Sequence, residues 1–125
     1  MKVVIDTNFW IDILRFKLDF SELYDLLPNS HIFTINQVVE ELERLAKKKN
    51  KDAGFAKLAL SFIESNKIQI LPAPEYGVDK ALMNLSDKET VIATNDSFLR
   101  KKIGAKGGKT IYILGKNANI IYVLK

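Results

Sequence analysis

The chain has 125 residues, of which 47% are hydrophobic and 27% are charged, and its formal net charge at pH 7 is +4. This length fits one compact domain over residues 1–125 and is too short for two. Because the chain has no cysteine and only one histidine, His31, it cannot form disulfides, thiolate zinc sites, cysteine nucleophiles or multi-histidine metal sites. No apolar run could span a bilayer and no secretory signal precedes the first strand, so we expect a cytoplasmic protein without membrane attachment.

Short β-branched runs alternate with longer helical stretches along the chain. The predicted elements, in chain order, are a strand over 2–6, helices over 9–16 and 20–27, a strand over 31–35, helices over 36–49 and 52–65, a strand over 67–72, a helix over 78–85, a strand over 89–94, a helix over 96–103 and a strand over 109–114. Asp52 is a candidate cap for the fourth helix, and Gly104 is expected to stop the last one. This alternation predicts an α/β fold, a three-layer α/β/α sandwich around a central, mainly parallel sheet.

Two aspartates each follow a buried, β-branched strand. Asp6 ends "KVVID", and Asp96 follows "ETVIAT" in the segment "ATND". The carboxyl ends of parallel strands meet at one sheet edge, which is where open α/β sheets place their ligands. Both residues also precede a helix, so N-capping is an equal alternative for either one alone. The paired pattern, with Thr and Asn beside each Asp, favours a shared site.

Two helices contribute further acidic candidates. In "NQVVEELERL", Glu40 falls opposite the apolar arc, Glu43 lies on a margin beside basic residues, and Glu41 lies on the margin from which a side chain can turn into a cleft. In "VDKALMNL", Asp79 lies near the margin of the apolar face in the first turn. A favourable interaction with the helix dipole is the alternative reading of Asp79. Glu41 and Asp79 are therefore candidate site residues.

Four carboxylates brought to one sheet edge would repel one another, by about 1 kcal/mol per pair at ~4 Å in water and by several times more when partly buried. They therefore need a cation. An all-oxygen set selects hard divalent ions, Mg²⁺ or Mn²⁺. Such an ion can neutralise charge on a phosphodiester and activate a water as the nucleophile. The candidate metal ligands and catalytic residues are Asp6, Glu41, Asp79 and Asp96.

The positive charge gathers in two segments, "AKKKNK" over 46–51 and "LRKKIGAKGGK" over 99–109. Each could be only a solvated surface, but two basic clusters flanking an acidic site suit the binding of a phosphate backbone. Aromatic residues do not interleave with the basic ones, so we expect no stacking platform for single-stranded bases. The candidate RNA-binding residues are Lys47, Lys48, Lys49, Arg100, Lys101 and Lys102.

The order of "VIDTN", "VVEEL", an Asp-led helix and "VIATNDSFLRKKI" resembles the PIN-domain nucleases, which include toxins of type II toxin–antitoxin pairs and RNA-processing nucleases. The likeness extends to about residue 113, and the C-terminal "NANIIYVLK" lies beyond it. It implies a divalent-metal-dependent endoribonuclease whose acidic site is formed by the same four carboxylates. It also implies that Thr94 and Asn8 orient the site, and it supports Glu41 over Glu40.

Two other classes of protein share part of this pattern. A phosphorylated receiver domain also has strand-end aspartates, but it would need paired acids after the first strand, where "IDTN" supplies one. A PIN fold that binds RNA or a protein with little catalysis is the stronger alternative. The resemblance further leaves open a small antitoxin protein as partner, a homodimer, the identity of the RNA target, and whether one or two metal ions are used.

Overall fold

The structure is a computed structural model that describes residues 1–74 and 77–114 and the backbone of residues 119–123. Its elements are β1 (Lys2–Ile5), α1 (Thr7–Arg15), α2 (Phe20–Leu26), β2 (His31–Ile35), α3 (Asn36–Ala46), α4 (Lys51–Ser65), β3 (Gln69–Leu71), α5 (Val78–Leu85), β4 (Thr90–Ala93), α6 (Ser97–Ala105), β5 (Lys109–Leu114) and β6 (Asn119–Val123). No helix in the described ranges combines the length and the apolar character that crossing a bilayer requires.

The strands form one sheet in the order β3-β2-β1-β4-β5-β6. All neighbours pair in parallel except β5 and β6, which are antiparallel. The chain moves from β1 towards one edge and from β4 towards the other, so right-handed crossovers place their helices on opposite faces. Accordingly, α1, α3 and α4 pack together, and α5 packs against α6. The predicted three-layer α/β/α sandwich with a mainly parallel sheet is confirmed.

The strand order reverses between β1 and β4, which lie side by side with Ile5 opposite Ala93. The residues of both strands are buried, except Lys2 at the start of β1, because helices cover both faces of the sheet. Such a reversal opens a crevice beyond the carboxyl ends of the two strands. The segments that leave β1 and β4 therefore enter this crevice.

Two residues predicted to begin or end a helix do not do so in the structure. Asn50, not Asp52, caps α4, since the Asn50 side chain accepts a hydrogen bond from the Ala53 backbone N–H at 3.0 Å. Asp52 lies one residue into the helix, so its prediction as the cap was wrong. Helix α6 continues one residue past Gly104, because a single glycine inside a helix costs only about 1 kcal/mol. The left-handed backbone after this helix is at Gly107, where φ is 85°.

Two further segments depart from the prediction. Strand β6 was not predicted, and it extends the sheet by pairing antiparallel with β5. Helix α3 ends at Ala46, so the lysine run over 47–49 lies beyond the helix rather than in its last turn. The remaining elements match their predicted type, with boundaries within two residues.

Candidate active site

An open cleft of about 460 Å³ lies where the segments following β1 and β4 meet α3 and α5. All four carboxylates predicted for the site line this cleft: Asp6, Glu41, Asp79 and Asp96. Glu40 and Glu43, the neighbouring acids on α3, are exposed and do not line it. The fold thus brings together four acids that are widely separated in sequence, and it distinguishes Glu41 from its neighbours as the helical wheel predicts.

Asp6 is the deepest of the four carboxylates, with 5% of its surface exposed. Its Oδ1 accepts a hydrogen bond from the Thr7 backbone N–H at 2.7 Å, and its Oδ2 accepts one from the Thr94 hydroxyl at 2.7 Å. Burial raises the pKa of Asp6 from 3.8 to about 6. The two hydrogen bonds oppose this rise, whereas the charges of Asp79 and Glu41 add to it. Ionised Asp6 is therefore costly in the folded protein unless a cation binds to it.

Thr94 joins the two strand-end aspartates. Its hydroxyl donates to Asp6 and also accepts a hydrogen bond from the Asp96 backbone N–H at 3.1 Å. Oδ1 of Asp96 accepts from the backbone N–H groups of Phe98 and Leu99 at 2.9 and 3.2 Å, which caps α6. The two readings of Asp96 are thus compatible, since one carboxylate both caps a helix and lines the cleft.

Glu41 and Asp79 form the opposite side of the cleft. Glu41 is half-buried and Asp79 is exposed. Neither carboxylate forms a hydrogen bond or an ion pair with another described residue. Desolvation raises the pKa of Asp79, the charge of Asp96 raises it further, and the Lys102 ammonium opposes the rise. This side of the cleft is therefore held only by the packing of its helices.

Asn8 acts on the loop that carries Asp96 rather than on Asp6. Its Oδ1 accepts a hydrogen bond from the Asn95 backbone N–H at 3.1 Å. The Asn95 side chain donates to Asp12 Oδ2 at 2.6 Å and accepts from the Ile113 backbone N–H at 2.8 Å, so it ties α1 to β5. Asn95 was not among the predicted site residues, although its place inside "ATND" was a usable signal.

Three further charged residues line the cleft, although none of them was predicted for the site: Asp12, Arg15 and Asp52. The Arg15 guanidinium contacts Asp12 Oδ1 at 2.9 Å and Asp52 Oδ1 at 2.6 Å. Arg15 is the only basic residue in the described lining. The spacing of three residues between Asp12 and Arg15 on one helix could have predicted their ion pair. Asp52 is 37 residues from Arg15 in sequence, so no local spacing predicts that contact. This side of the cleft carries one positive charge between two carboxylates, whereas the four predicted carboxylates have no such ion pair.

The donor groups suit a hard divalent cation, although they are not assembled around one. Within the described ranges, no three acidic or histidine side chains stand close enough to hold a metal ion, as expected when like charges separate. Mg²⁺, however, is often bound by one or two carboxylates and several waters. Thr7 also lines the cleft, and its buried hydroxyl has no hydrogen-bond partner among the described residues. A hydrated cation would supply one.

The six basic candidates lie outside the cleft lining. Lys47, Lys48 and Lys49 are exposed in the turn after α3. On α6, Lys101 and Lys102 are exposed, and the Arg100 guanidinium stacks over the Tyr112 ring at 4.0 Å from its centroid. The two clusters can therefore contact phosphates only beyond the acidic groups.

Comparisons with known proteins identify the fold family. The chain matches the family described as "PIN like domain" over residues 3–116. It is similar to the solved structure of the PIN domain endonuclease Utp24, with 25% identity, 99% of this chain and 92% of that chain covered, and a TM-score of 0.79. It is also similar to a domain of a functionally unknown protein from Methanocaldococcus jannaschii, with 18% identity, 99% of both chains covered, and a TM-score of 0.66. No curated protein sequence matches the chain. Since the family match spans most of its length, this chain belongs to the PIN-like domain family.

Proposed function

We propose that residues 1–125 form a single PIN-type domain that acts as a Mg²⁺- or Mn²⁺-dependent endoribonuclease. The observation that carries this proposal is the cleft beyond β1 and β4, which is lined by four carboxylates that no described basic side chain pairs with. The similarity to the PIN domain endonuclease Utp24 supports nuclease chemistry at this place in the fold. The proposed catalytic residues and metal ligands are Asp6, Glu41, Asp79 and Asp96.

The protein's contribution is to hold these oxygens in place. Asp6 is oriented by the Thr94 hydroxyl and the Thr7 N–H, and the Asp96 backbone is oriented by the same hydroxyl. Hydrogen-bonded partners of this kind fix the direction of a metal ligand. Glu41 and Asp79 face the same cleft from α3 and α5, and they would complete the ligand set.

The bound ion would neutralise charge on the scissile phosphodiester and make a water nucleophilic. The described lining holds no histidine, cysteine or lysine, and the proposal invokes no side-chain base. Because burial raises the pKa of Asp6 to about 6, its carboxyl takes up a proton as the pH falls below that value. Since a proton on Asp6 competes with the cation for the same carboxylate, we expect the Mn²⁺ concentration needed for half-maximal activity to rise as the pH falls below about 6.

The remaining roles are predictions from the sequence. The basic residues Lys47, Lys48, Lys49, Arg100, Lys101 and Lys102 would bind RNA phosphates around the cleft. A toxin role with a small antitoxin partner, an RNA-processing role, a homodimer and a cytoplasmic location all stay predictions. A small antitoxin reading frame beside the gene would favour the toxin role.

A pair of neighbouring variants on α3 tests the proposal. Structured and unstructured RNAs are incubated with Mn²⁺ or with EDTA, and cleavage is followed by gel electrophoresis. The parent should cleave with Mn²⁺ only, and Glu41→Gln should lose most of this activity. Glu40→Gln removes the same charge one residue away, outside the cleft lining, and should cleave like the parent. Equal activity in the two variants, or cleavage in EDTA, would contradict the proposal.

One observation favours a second function, a PIN fold that binds RNA with little catalysis. Among the described residues, no three ligand side chains are grouped around a common point. In that case the basic clusters would bind RNA, and Mn²⁺ would change neither the affinity nor the integrity of the RNA. The same assay separates the two functions, because a binding module leaves every RNA intact.

A further inference from the structure

Arg15, the one basic side chain in the described lining of the cleft, is held in place by three neighbours. Its terminal nitrogens donate to Asp12 Oδ1 at 2.9 Å and to Asp52 Oδ1 at 2.6 Å. The Phe55 ring lies beside it, with the ring centroid 5.8 Å from the guanidinium carbon. Contacts from α1 and α4 thus give a long, flexible side chain a defined orientation in the cleft.

The same contacts connect Arg15 to the loop that carries Asp96. The second oxygen of Asp12, Oδ2, accepts a hydrogen bond from the Asn95 side chain at 2.6 Å, and Asn95 directly precedes Asp96. The Asn95 backbone N–H in turn donates to Asn8 Oδ1 at 3.1 Å. The guanidinium therefore has a fixed place relative to the strand-end aspartates, as a group that positions a substrate requires.

An ion pair that joins α1 to α4 is the simplest interpretation of Arg15, but it leaves most of the guanidinium unused. The side chains of Arg15 and Asp52 are 41% and 49% exposed, and ion pairs at such exposure add little stability because water screens them. A guanidinium has five N–H donors. Those not directed at Asp12 or Asp52 have no partner in the part of the chain that the structure describes. They remain available to an anion in the cleft.

A phosphodiester is the anion that suits this position. A guanidinium can bind two phosphate oxygens through parallel N–H···O bonds, which fixes the orientation of the phosphate as well as its place. Helix α1 runs nine residues from Thr7, next to Asp6, to Arg15. At a rise of 1.5 Å per residue, the Cα atoms of Asp6 and Arg15 are roughly 13 Å apart. Arg15 therefore lies further along the cleft than the strand-end carboxylates, where a neighbouring phosphate of the same strand would pass.

We propose that Arg15 binds a phosphate next to the scissile one and so fixes the register of the RNA backbone in the cleft. This inference rests on the proposed nuclease function and adds a substrate-binding residue to the same site. Asp12 and Asp52 are positioning residues that hold the guanidinium. Because the neighbouring phosphate does not react, Arg15 contacts it equally in the ground state and the transition state. The contact therefore lowers KM and leaves kcat unchanged.

Cleavage kinetics in Mn²⁺ test this assignment. Arg15→Gln should raise KM about 10-fold at an unchanged kcat, and Arg15→Lys, which keeps the charge but not the paired donors, should raise it less. Lys17→Gln removes the same charge two residues further on, outside the cleft lining, and should cleave like the parent. Urea melts of Arg15→Gln should stay close to those of the parent, since an exposed ion pair stabilises little.

Neutral linkages in the RNA identify the phosphate itself. Short RNAs are made with a single uncharged methylphosphonate at successive positions around the cleavage site. In the parent, one position beside the cleavage site should raise KM about 10-fold. The same linkage should have no further effect in Arg15→Gln, because the contact that it removes is already lost. Arg15→Lys should show a reduced effect at the same position, so the scan does not depend on the stability of Arg15→Gln.

Three outcomes would overturn the inference. If Arg15→Gln keeps the KM of Lys17→Gln and the parent, Arg15 only joins α1 to α4. If Arg15→Gln lowers kcat at an unchanged KM, the guanidinium acts on the scissile phosphate and not on its neighbour. If each neutral linkage affects the parent and Arg15→Gln equally, Arg15 binds no phosphate. When the parent cleaves RNA, these results refute this inference alone, whereas a parent that cleaves no RNA refutes the proposed function with it.

Discussion

Two sides of the cleft hold their carboxylates by different means. On the strand-end floor, defined by Asp6, Thr94 and Asp96, every side chain forms hydrogen bonds to the others or to the start of a helix. On the helix rim, defined by Glu41 and Asp79, neither carboxylate has a hydrogen bond or an ion pair among the described residues. The floor is fixed by the sheet, whereas the rim is positioned only by helix packing.

The floor is therefore pre-organised for binding, whereas the rim can adapt its side chains to what binds. The floor includes a nearly buried acid whose pKa is raised, so its geometry is obtained at a cost in folding free energy. The rim carboxylates have no hydrogen bond or ion pair among the described residues that fixes their orientation, which lets like charges stay apart until a cation arrives. We therefore expect substitutions on the floor to change stability more than substitutions on the rim do, whereas substitutions on either should lower activity.

The largest expected effect on stability comes from the buried charge on the floor. The pKa of folded Asp6 is about 6 against 3.8 for the free side chain, so the folded state holds this proton more tightly than the unfolded one. The stability that protonated Asp6 gives the folded state is thus lost as the pH rises from about 4 to 6. The resulting decrease in the free energy of unfolding, roughly 3 kcal/mol, is fully present above pH 6. Asp6→Asn should remove it, giving a metal-free protein that is more stable than the parent at pH 8.

Urea unfolding of both proteins in EDTA at pH 4 and pH 8 measures this difference. The stability gap between Asp6→Asn and the parent should widen with pH. A gap of the same size at both pH values would mean that Asp6 carries no charge penalty, and the distinction between floor and rim would lose its main support.

Removing the Thr94 hydroxyl should have the next largest effect on stability. Thr94→Val keeps the shape but leaves Asp6 Oδ2 and the Asp96 N–H without the partner they share, which should cost about 1–3 kcal/mol of stability. Metal affinity or activity should also fall by about 10- to 100-fold. Thr94→Ser retains the hydroxyl and should keep most of both. If Thr94→Val matches Thr94→Ser in urea melts and cleavage assays, the hydroxyl does not orient the floor.

A substitution in the loop that carries Asp96 should have a smaller effect on stability. Asn95→Ala removes the link between Asp12 and the Ile113 N–H, with an expected loss of about 1–2 kcal/mol. Asn84→Ala changes an exposed asparagine on α5, and we expect that variant to melt like the parent. Chemical denaturation compares the two. Equal stability would show that the Asn95 bridge does not brace α1 against β5.

The smallest effect concerns charges outside both regions. Replacing Lys47, Lys48 and Lys49 with glutamine should weaken RNA binding about equally for all sequences and flatten its dependence on salt. A control triple variant at Lys17, Lys57 and Lys67, which are also exposed, removes the same charge elsewhere. Anisotropy titrations at several salt concentrations compare them. Identical salt slopes in the two variants would show that the run is only a solvated surface.

The floor could be predicted from sequence because its causes are local. A β-branched run such as "VVI" signals a buried strand, and a polar residue directly after it must emerge at the strand's carboxyl end. The rim could be predicted by helical periodicity, which separated Glu41 from Glu40 and Glu43. In both cases a short segment determines where the side chain points once the parallel sheet is assumed.

The missed features depend on contacts between distant segments. The ion pair of Arg15 with Asp52 joins α1 to α4, and the bridge from Asn95 to Asp12 spans 83 residues. Helix packing sets such distances, and no local pattern encodes them. The wrong prediction of Asp52 as the cap of α4 has a local cause. Asp and Asn both cap helices, and Asp52 lies only two positions after Asn50.

The central claim is that the four carboxylates form one cation site. Thermal melts with and without metal test this claim most directly. Parent, Asp96→Asn and Glu40→Gln proteins are heated in EDTA and in millimolar Mn²⁺. Asparagine can still cap α6, so metal-free Asp96→Asn should be at least as stable as the parent, and Mn²⁺ should raise the melting temperature of the parent and Glu40→Gln much more than that of Asp96→Asn. If Mn²⁺ shifts none of the three melts and Asp96→Asn is destabilised in EDTA, Asp96 is only a helix cap and the shared metal site is wrong.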